Sequence, residues 1–204
     1  MSEEIRTEEK EKKLEEIKKE AEERACAFQK VLYFIEEFLA GPMCGKCYPC
    51  SLGTAEAGIR LNKIKKHPGS FSDADLQALK RIGLNMREGS FCKKGRDTGN
   101  FIVDILANSA REFEQHVSGV CQANECISLL EYRINPGLCV MCGECSAACK
   151  HDAITGEKRE KYLSGYLPFE IRQARCVKCG ECVAVCPTGA IELISVVMEE
   201  LINE

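Results

Sequence analysis

Apolar residues recur at helical spacing through the N-terminal part of the chain. The stripe consists of Leu14, Ile17, Ala21, Phe28, Val31, Ile35 and Phe38, and Arg24 is its single interruption. Steps of three and four residues place such side chains on one face of an α-helix. The pattern therefore predicts one long helix over residues 3–40, which Gly41 and Pro42 end. The charged first half of this helix is typical of a solvated face.

Two more segments carry helix signals. Ser72 and Asp75 form a capping-box pattern ahead of an apolar face made by Leu76, Leu79, Ile82, Gly83 and Met86. A second helical pattern covers residues 96–118, with apolar positions at Phe101, Ile102, Ile105, Leu106 and Phe113. Together with the first helix, these segments predict a mainly helical N-terminal part of the chain.

The last third of the chain repeats one cysteine pattern. Each copy has the spacing C-x2-C-x2-C-x3-C, and the segments 153–156 and 190–193 that follow predict a returning strand after a short helix. In two-cluster ferredoxins, three cysteines of such a run bind one iron-sulfur cube and the fourth binds the other cube. One predicted [4Fe-4S] ligand set is therefore Cys139, Cys142, Cys145 and Cys186. The second predicted [4Fe-4S] ligand set is Cys149, Cys176, Cys179 and Cys182.

A third cysteine set lies in the helical part of the chain. Cys44, Cys47 and Cys50 are spaced C-x2-C-x2-C, and the next cysteine is Cys92. A cube binds four thiolates, and the helix that begins near Ser72 can bring Cys92 back to the triplet. We therefore predict a third [4Fe-4S] cluster on these four cysteines.

Composition fits an interior that is partly inorganic. The chain has 204 residues, 15 cysteines, no Trp and a formal charge of −4. Disulfides are typical of small secreted chains, whereas this N-terminus is charged and does not resemble a signal peptide. Zinc ribbons keep their C-x2-C pairs well apart.

Three cubes would each add about −2 to the net charge, and such an acidic protein is a poor nucleic-acid partner. Because no apolar run is long enough to cross a bilayer, we expect a cytoplasmic protein without direct membrane insertion.

The cysteine segments together resemble a known family. The pattern C-G-x-C-x-P-C-x-x-G at residues 44–53, followed by Cys92 and an E-F-E-x-H sequence ending at His116, is similar to the C-terminal cluster domain of the NADH-binding flavoprotein subunit of respiratory complex I and of electron-bifurcating hydrogenases. The resemblance implies a four-helix bundle with one [4Fe-4S] cluster. In the hydrogenase-type members a two-cluster ferredoxin domain follows. Lys94 departs from the family, where that position is usually apolar, and Lys150 stands where the second cysteine copy has Pro187.

These predictions combine into a mainly helical α+β chain. Its parts are a long N-terminal helix over residues 1–40 that joins the bundle, a helical bundle with one [4Fe-4S] cluster over 41–120, a metal-binding linker over 121–134, and a two-cluster ferredoxin-like domain over 135–204. The sequence contains no glycine-rich phosphate loop or Rossmann fingerprint. We therefore expect the chain to bind neither FMN nor NADH by itself.

Three cysteines remain outside the cluster patterns. His116, Cys121 and Cys126 occur at five-residue steps, and Cys26 lies on the first helix, which a bundle would place beside them. One His and three Cys are usual ligands of a closed structural zinc site, and the resemblance also implies a metal at a comparable position. The alternatives are a [2Fe-2S] cluster or no metal, with Cys26 as a small buried residue.

The other two histidines carry no metal signal. His67 and His151 have no partner cysteine at ligand spacing, and both are predicted to lie in loops.

Every predicted cube has four cysteine ligands, so no iron is left open for a substrate. The sequence also has no recognisable nucleophile–base set. It therefore predicts an electron-transfer subunit whose partners are a flavin- or NAD(H)-binding subunit and a catalytic oxidoreductase subunit, of hydrogenase, formate dehydrogenase or aldehyde oxidoreductase type. The alternatives are a stand-alone ferredoxin-like shuttle and a non-redox, zinc-stapled interaction module.

Overall fold

A computed structural model of the chain describes residues 12–66, 70–160 and 166–195, and it divides into two units between Glu125 and Cys126. The described helices of the first unit are α1 (Leu14–Glu22), α2 (Ala27–Ala40), α3 (Tyr48–Lys66), α4 (Asp73–Gly89), α5 (Lys93–Asn108) and α6 (Ala110–Val117). The second unit holds a 3-10 turn (Ile127–Leu129), β1 (Leu130–Ile134), α7 (Glu144–Ala148), β2 (Ile154–Thr155), β3 (Glu170–Ile171), α8 (Glu181–Ala184) and β4 (Ile191–Ser195). The predicted mainly helical α+β fold class is confirmed.

The prediction of one continuous helix over residues 3–40 is wrong. Helix α1 ends at Glu22, and α2 begins at Ala27 after an extended Cys26. The stripe nevertheless faces the core on both sides of the break, since Ile17 and Phe28 are fully buried. The residues before position 12 lie outside the described part of the chain.

The segment predicted over residues 96–118 is also divided. Helix α5 ends at Asn108, Ser109 leaves helical geometry, and α6 follows. Helix α3 had not been predicted, because it carries apolar side chains on buried and exposed faces alike and so shows no clear periodicity.

Helix α4 begins where its capping pattern predicts. The Ser72 side chain accepts a hydrogen bond from the Asp75 backbone, and the Asp75 carboxylate accepts one from the Ser72 backbone. The same carboxylate is buried and lies 2.7 Å from both Arg60 Nη1 and Lys63 Nζ of α3. This single acidic side chain therefore caps α4 and ties it to α3.

Aromatic rings form the centre of the first unit. The largest fully buried side chains include five phenylalanines, Phe28, Phe34, Phe38, Phe71 and Phe113. The Phe28 ring meets the Phe71 ring edge-on at 5.2 Å between centroids. Because each buried aromatic side chain removes a large apolar area from water, this part of the chain has a conventional hydrophobic core.

The second unit contains two small antiparallel pairs. Strand β1 pairs with β4, with Leu130 opposite Ser195 and Ile134 opposite Ile191. Strand β2 pairs with β3. The prediction that each cysteine run leads through a short helix into a returning strand is confirmed by α7 with β2 and by α8 with β4.

The two cysteine runs fold alike. Gly143 and Gly180 both have left-handed backbones, with φ of 81° and 78°, and each is the residue that precedes a short helix. Met141 and Lys178 occupy matching positions and are left-handed as well, with φ of 55° and 59°. Left-handed residues let the backbone turn tightly, so both runs form the same loop. Within the described ranges, no helix has the length and apolar character that a membrane span requires.

Candidate metal centres

Four cysteines of the first unit lie around the start of two helices. Cys47 immediately precedes α3, Cys50 lies in its first turn, and Cys92 is the residue before α5. Burial, together with the neighbouring thiols of Cys47, Cys92 and Cys44, raises the pKa of Cys50 to about 11. The structure thus brings together all four residues that the sequence predicts for this site, with Cys44 exposed to solvent.

The loop before Cys92 is held tightly against the site. Arg96 Nη1 donates hydrogen bonds to the carbonyl oxygens of Ser90 and Phe91, at 3.1 and 3.2 Å. A side-chain carbon at Gly95 would lie 2.7 Å from the Ser90 Cβ and 3.3 Å from the Cys50 Sγ. Only glycine fits there without displacing a neighbour, so the first turn of α5 can approach Cys50. Lys94 is exposed and leaves this packing intact.

Four cysteines of the second unit line one cavity. Three of them, Cys139, Cys142 and Cys145, come from the first cysteine run, and the fourth, Cys186, comes from the end of the second run. Phe169 and Ile191 complete the apolar part of the wall. These four cysteines are the first of the two ligand sets that the repeated cysteine spacing predicts.

The remaining four cysteines lie around the other loop. Cys176 and Cys179 are close enough to Cys182 to raise its pKa, after burial, which raises it most. Cys149 packs against a group of buried apolar residues that includes Cys182. Lys150, next in sequence, lies near Cys179 and forms an ion pair with Glu181 at 3.0 Å.

The last cysteine of each run receives a backbone hydrogen bond from four residues further on. The Ala153 N–H donates to Cys149 Sγ at 3.4 Å, and the Ala190 N–H donates to Cys186 Sγ at 3.2 Å. At Cys186 burial raises the pKa, but hydrogen bonds from Thr188 and Ala190 outweigh it, and the pKa is lowered. At Cys186 the hydrogen bonds therefore favour the thiolate, which is the form that ligates iron.

The three cysteines outside the cluster patterns meet His116. The ligand atoms of Cys26, His116, Cys121 and Cys126 all lie within 4.8 Å of one another, and all four residues are buried. Cys26 Sγ is 3.2 Å from His116 Nε2 and 3.9 Å from Cys121 Sγ. Tetrahedral zinc, with Zn–S about 2.3 Å and Zn–N about 2.0 Å, places such atoms about 3.5 to 3.8 Å apart. The donor set and its spacing therefore fit one zinc ion.

Two glutamates that the sequence analysis missed organise this site. Glu125 accepts hydrogen bonds from the backbone N–H groups of Ala25 and Cys26, at 2.9 and 2.8 Å. Glu112 accepts one from Ala27 at 2.7 Å through its carboxylate, while its carbonyl oxygen lies 2.7 Å from His116 Nδ1. The carboxylates cap the start of α2, which explains the break after α1.

The same contacts orient the histidine. A ligating imidazole is usually held by a hydrogen bond at its other nitrogen, and here that partner is the Glu112 carbonyl. Neither glutamate could be identified from sequence, because each acts on residues far away along the chain. Of the other histidines, His151 lies in an exposed turn, and His67 lies outside the described residues.

Comparison with known proteins identifies two regions. Residues 30–116 match the NADH-ubiquinone oxidoreductase-F iron-sulfur binding region, and residues 138–190 match a 4Fe-4S dicluster domain.

Curated relatives match parts of the chain. Over 133 residues it is 33% identical to the NADP-reducing hydrogenase subunit HndC of Solidesulfovibrio fructosivorans. This aligned region covers 65% of this chain and 27% of that protein. It is 34% identical over 98 residues to the NADH-quinone oxidoreductase F subunit of Streptomyces coelicolor, covering 48% of this chain and 21% of that protein. The beta subunit of the NADP(+)-dependent formate dehydrogenase of Moorella thermoacetica is 36% identical over 66 residues, covering 32% of this chain and 9% of that protein. The chain thus spans about a quarter or less of the length of these relatives.

Proposed function

We propose that the chain is an electron-transfer subunit with three [4Fe-4S] clusters, because residues 30–116 match the NADH-ubiquinone oxidoreductase-F iron-sulfur binding region and residues 138–190 match a 4Fe-4S dicluster domain. Its iron-sulfur domains are related to those of hydrogenase and formate dehydrogenase subunits. We propose that it connects a flavin- or NAD(H)-binding subunit to a catalytic oxidoreductase subunit of that kind.

The cavity shared by the two cysteine runs carries this proposal. Cys186 joins Cys139, Cys142 and Cys145 around one space although it lies in the other run, as ligand exchange between paired clusters requires. Bound clusters would supply one-electron transfer at low potential. The chain's own residues hold the thiolates in place, donate N–H groups to sulfur at Ala153 and Ala190, and surround the sites with apolar side chains.

The bundle supplies the third ligand set in the proposal. Cys47 and Cys50 are buried, whereas Cys44 is exposed, so this site would be open to the surface on the Cys44 side. An exposed ligand edge allows another redox protein to come close to the cluster.

We propose zinc for the fourth site. Cys26, His116, Cys121 and Cys126 offer four ligand atoms in a compact, buried arrangement, which leaves no open position for a substrate. A zinc ion there would have a structural role, because it would join the start of α2 to the end of α6 and the loop that follows.

Metal analysis of anaerobically purified chain tests the proposal. We expect about twelve irons and about one zinc per chain, a brown colour, and loss of visible absorption on addition of dithionite. Replacing Cys186 by Ser should lower the iron content and leave zinc unchanged. Replacing Cys26 by Ser should lower the zinc content and leave iron unchanged.

A colourless protein that contains zinc alone would overturn the electron-transfer proposal in favour of a zinc-stapled interaction module. Twelve irons without zinc would overturn only the assignment of the fourth site.

A further inference from the structure

The first unit exposes an unusual row of large apolar side chains. Tyr48, Leu52 and Ile59 of α3 are 80%, 63% and 70% exposed. At 100° per residue these positions fall on one narrow line along the helix, and the rise of 1.5 Å per residue makes that line about 16 Å long. A contiguous exposed apolar surface of this kind typically marks an interaction site.

Phe91 extends this row to the candidate cluster. Its side chain is 83% exposed, and it directly precedes the ligand Cys92. A side-chain carbon at Gly89 would lie 3.0 Å from the Pro49 ring, so the end of α4 touches the first turn of α3. Tyr48 and Phe91 therefore stand on neighbouring backbone segments, each beside a cluster cysteine. We call Tyr48, Leu52, Ile59 and Phe91 the apolar row.

Basic residues accompany the apolar row. The segments 44–52 and 87–97 contain five basic residues and two acidic ones, a local charge of +3, whereas the whole chain has −4. A bound cube of about −2 would leave this region at about +1 and would make the rest of the protein more acidic still. Lys46, Lys94 and Arg96 are exposed, while the cysteines Cys47 and Cys50 are buried. The positive groups thus lie in solvent, where an approaching protein meets them first. We call Lys46, Lys94 and Arg96 the basic rim.

We propose that the apolar row and the basic rim form the docking surface for an acidic one-electron carrier protein, an inference that rests on the proposed function. A short apolar centre with a charged rim suits the small interfaces of transient redox encounters. A basic rim speeds the approach of an acidic partner. The exposed ligand Cys44 lies in the same segment, so the carrier's redox group would meet the cluster at its most accessible edge.

Stopped-flow kinetics with the holoprotein test this surface. The probe is a reduced, acidic bacterial two-cluster ferredoxin, and the readout is the second-order rate of cluster reduction. We expect the rate to fall steeply with ionic strength. Phe91→Ser combined with Tyr48→Ser, and separately Lys46→Glu combined with Lys94→Glu, should each lower the rate about tenfold or more. Leu167→Ser and Lys80→Glu, on exposed residues outside these two surfaces and outside the cysteine runs, serve as matched controls and should leave the rate unchanged.

Two results would overturn the docking surface. The rate could be the same in the variants as in the wild type, or it could rise with salt. A subunit that stays bound over the apolar row at high salt would also overturn it in favour of a permanent interface.

Reduction by dithionite separates this test from that of the proposed function. Dithionite is small and needs no docking surface, so all variants should be bleached by it equally. A chain that dithionite does not bleach fails as an electron-transfer protein. If dithionite bleaches the chain but the variants react with ferredoxin at the wild-type rate, only the proposed docking surface is refuted.

Discussion

The two units of the molecule bury very different interiors. The first has large, fully buried aromatic and aliphatic side chains, among them Phe28, Phe71 and Phe113. One buried apolar cluster of the second unit consists of Cys145, Ile154, Phe169, Cys182 and Ile191, and two of these five residues are proposed ligands of [4Fe-4S] clusters. A small domain with so little apolar area usually needs a metal or a cross-link to fold. We therefore expect the bundle to support itself largely alone, whereas the second unit depends on its clusters.

Removal of iron should affect the stability of the two units most differently. After anaerobic chelation we expect the second unit to unfold, because binding energy of structural metal is folding energy, while most of the bundle helices persist. Hydrogen exchange with mass spectrometry would show rapid exchange in β1 and β4 and retained protection in α2, α4 and α5. Protected β1 and β4 in the iron-free chain would remove the distinction between the units.

A cavity created in the hydrophobic core of the bundle by a substitution should have the next largest effect on stability. Phe28 is fully buried and packs on Phe71, Phe113 and the His116 ring. Phe28→Ala should cost about 3 to 5 kcal/mol of unfolding free energy, measured by urea denaturation followed by circular dichroism. The cluster absorption of the second unit should stay the same in water. Phe91→Ala, on an exposed ring, is the control and should change stability little.

Loss of the buried carboxylate should have a smaller, pH-dependent effect. Burial raises the pKa of Asp75, but hydrogen bonds from Lys63, Ser72 and Arg60 outweigh it and lower the pKa from 3.8 to about 2. Its contribution is therefore present above the unfolded value and is lost as the pH falls through the folded one. The size of the shift corresponds to about 2 kcal/mol.

Asp75→Asn should accordingly destabilise the chain at neutral pH. The difference from wild type in urea should shrink as the pH falls from about 5 towards 2. Glu88→Gln, on an exposed glutamate of the same helix, should show no such trend. A difference that stays constant with pH would mean that the Asp75 charge does not stabilise the bundle.

The smallest effect is expected at the ion pair that joins the two cysteine runs. Lys150 is 77% exposed and pairs with Glu181, and exposed ion pairs contribute little to stability. Lys150→Gln should therefore leave the thermal unfolding of the holoprotein unchanged. A marked loss of stability would show that the second unit depends on this contact as well as on its clusters.

Local signals were sufficient for some elements of this fold. The Ser72 and Asp75 pattern predicted the start of α4 correctly, because a capping box involves residues only three positions apart. The repeated cysteine spacing predicted α7, α8 and the strands after them, since each loop conformation is fixed within a few residues. The alternation of Leu130, Tyr132 and Ile134 could also have revealed β1, which the prediction placed in a linker.

Long-range contacts account for what the sequence could not show. The stripe in the first forty residues continues across the break before α2, and the carboxylates that cap this break come from Glu112 and Glu125. Helix α3 escaped prediction for another reason, because Leu52 and Ile59 place apolar groups on its exposed face. For the candidate sites, ligand spacing pointed to the cysteines, but the glutamates around Cys26 carry no motif.

The shared cavity of the second unit also bears on how the protein matures. Its wall is complete only when Cys186 joins three cysteines that the ribosome translates well before it. A nascent chain that ends short of Cys186 would therefore present an incomplete, oxygen-sensitive thiol triad. The complete ligand set that we propose for this cavity is therefore available only once both cysteine runs have been synthesised, and a chain that ends just before Cys186 would retain three of its four members.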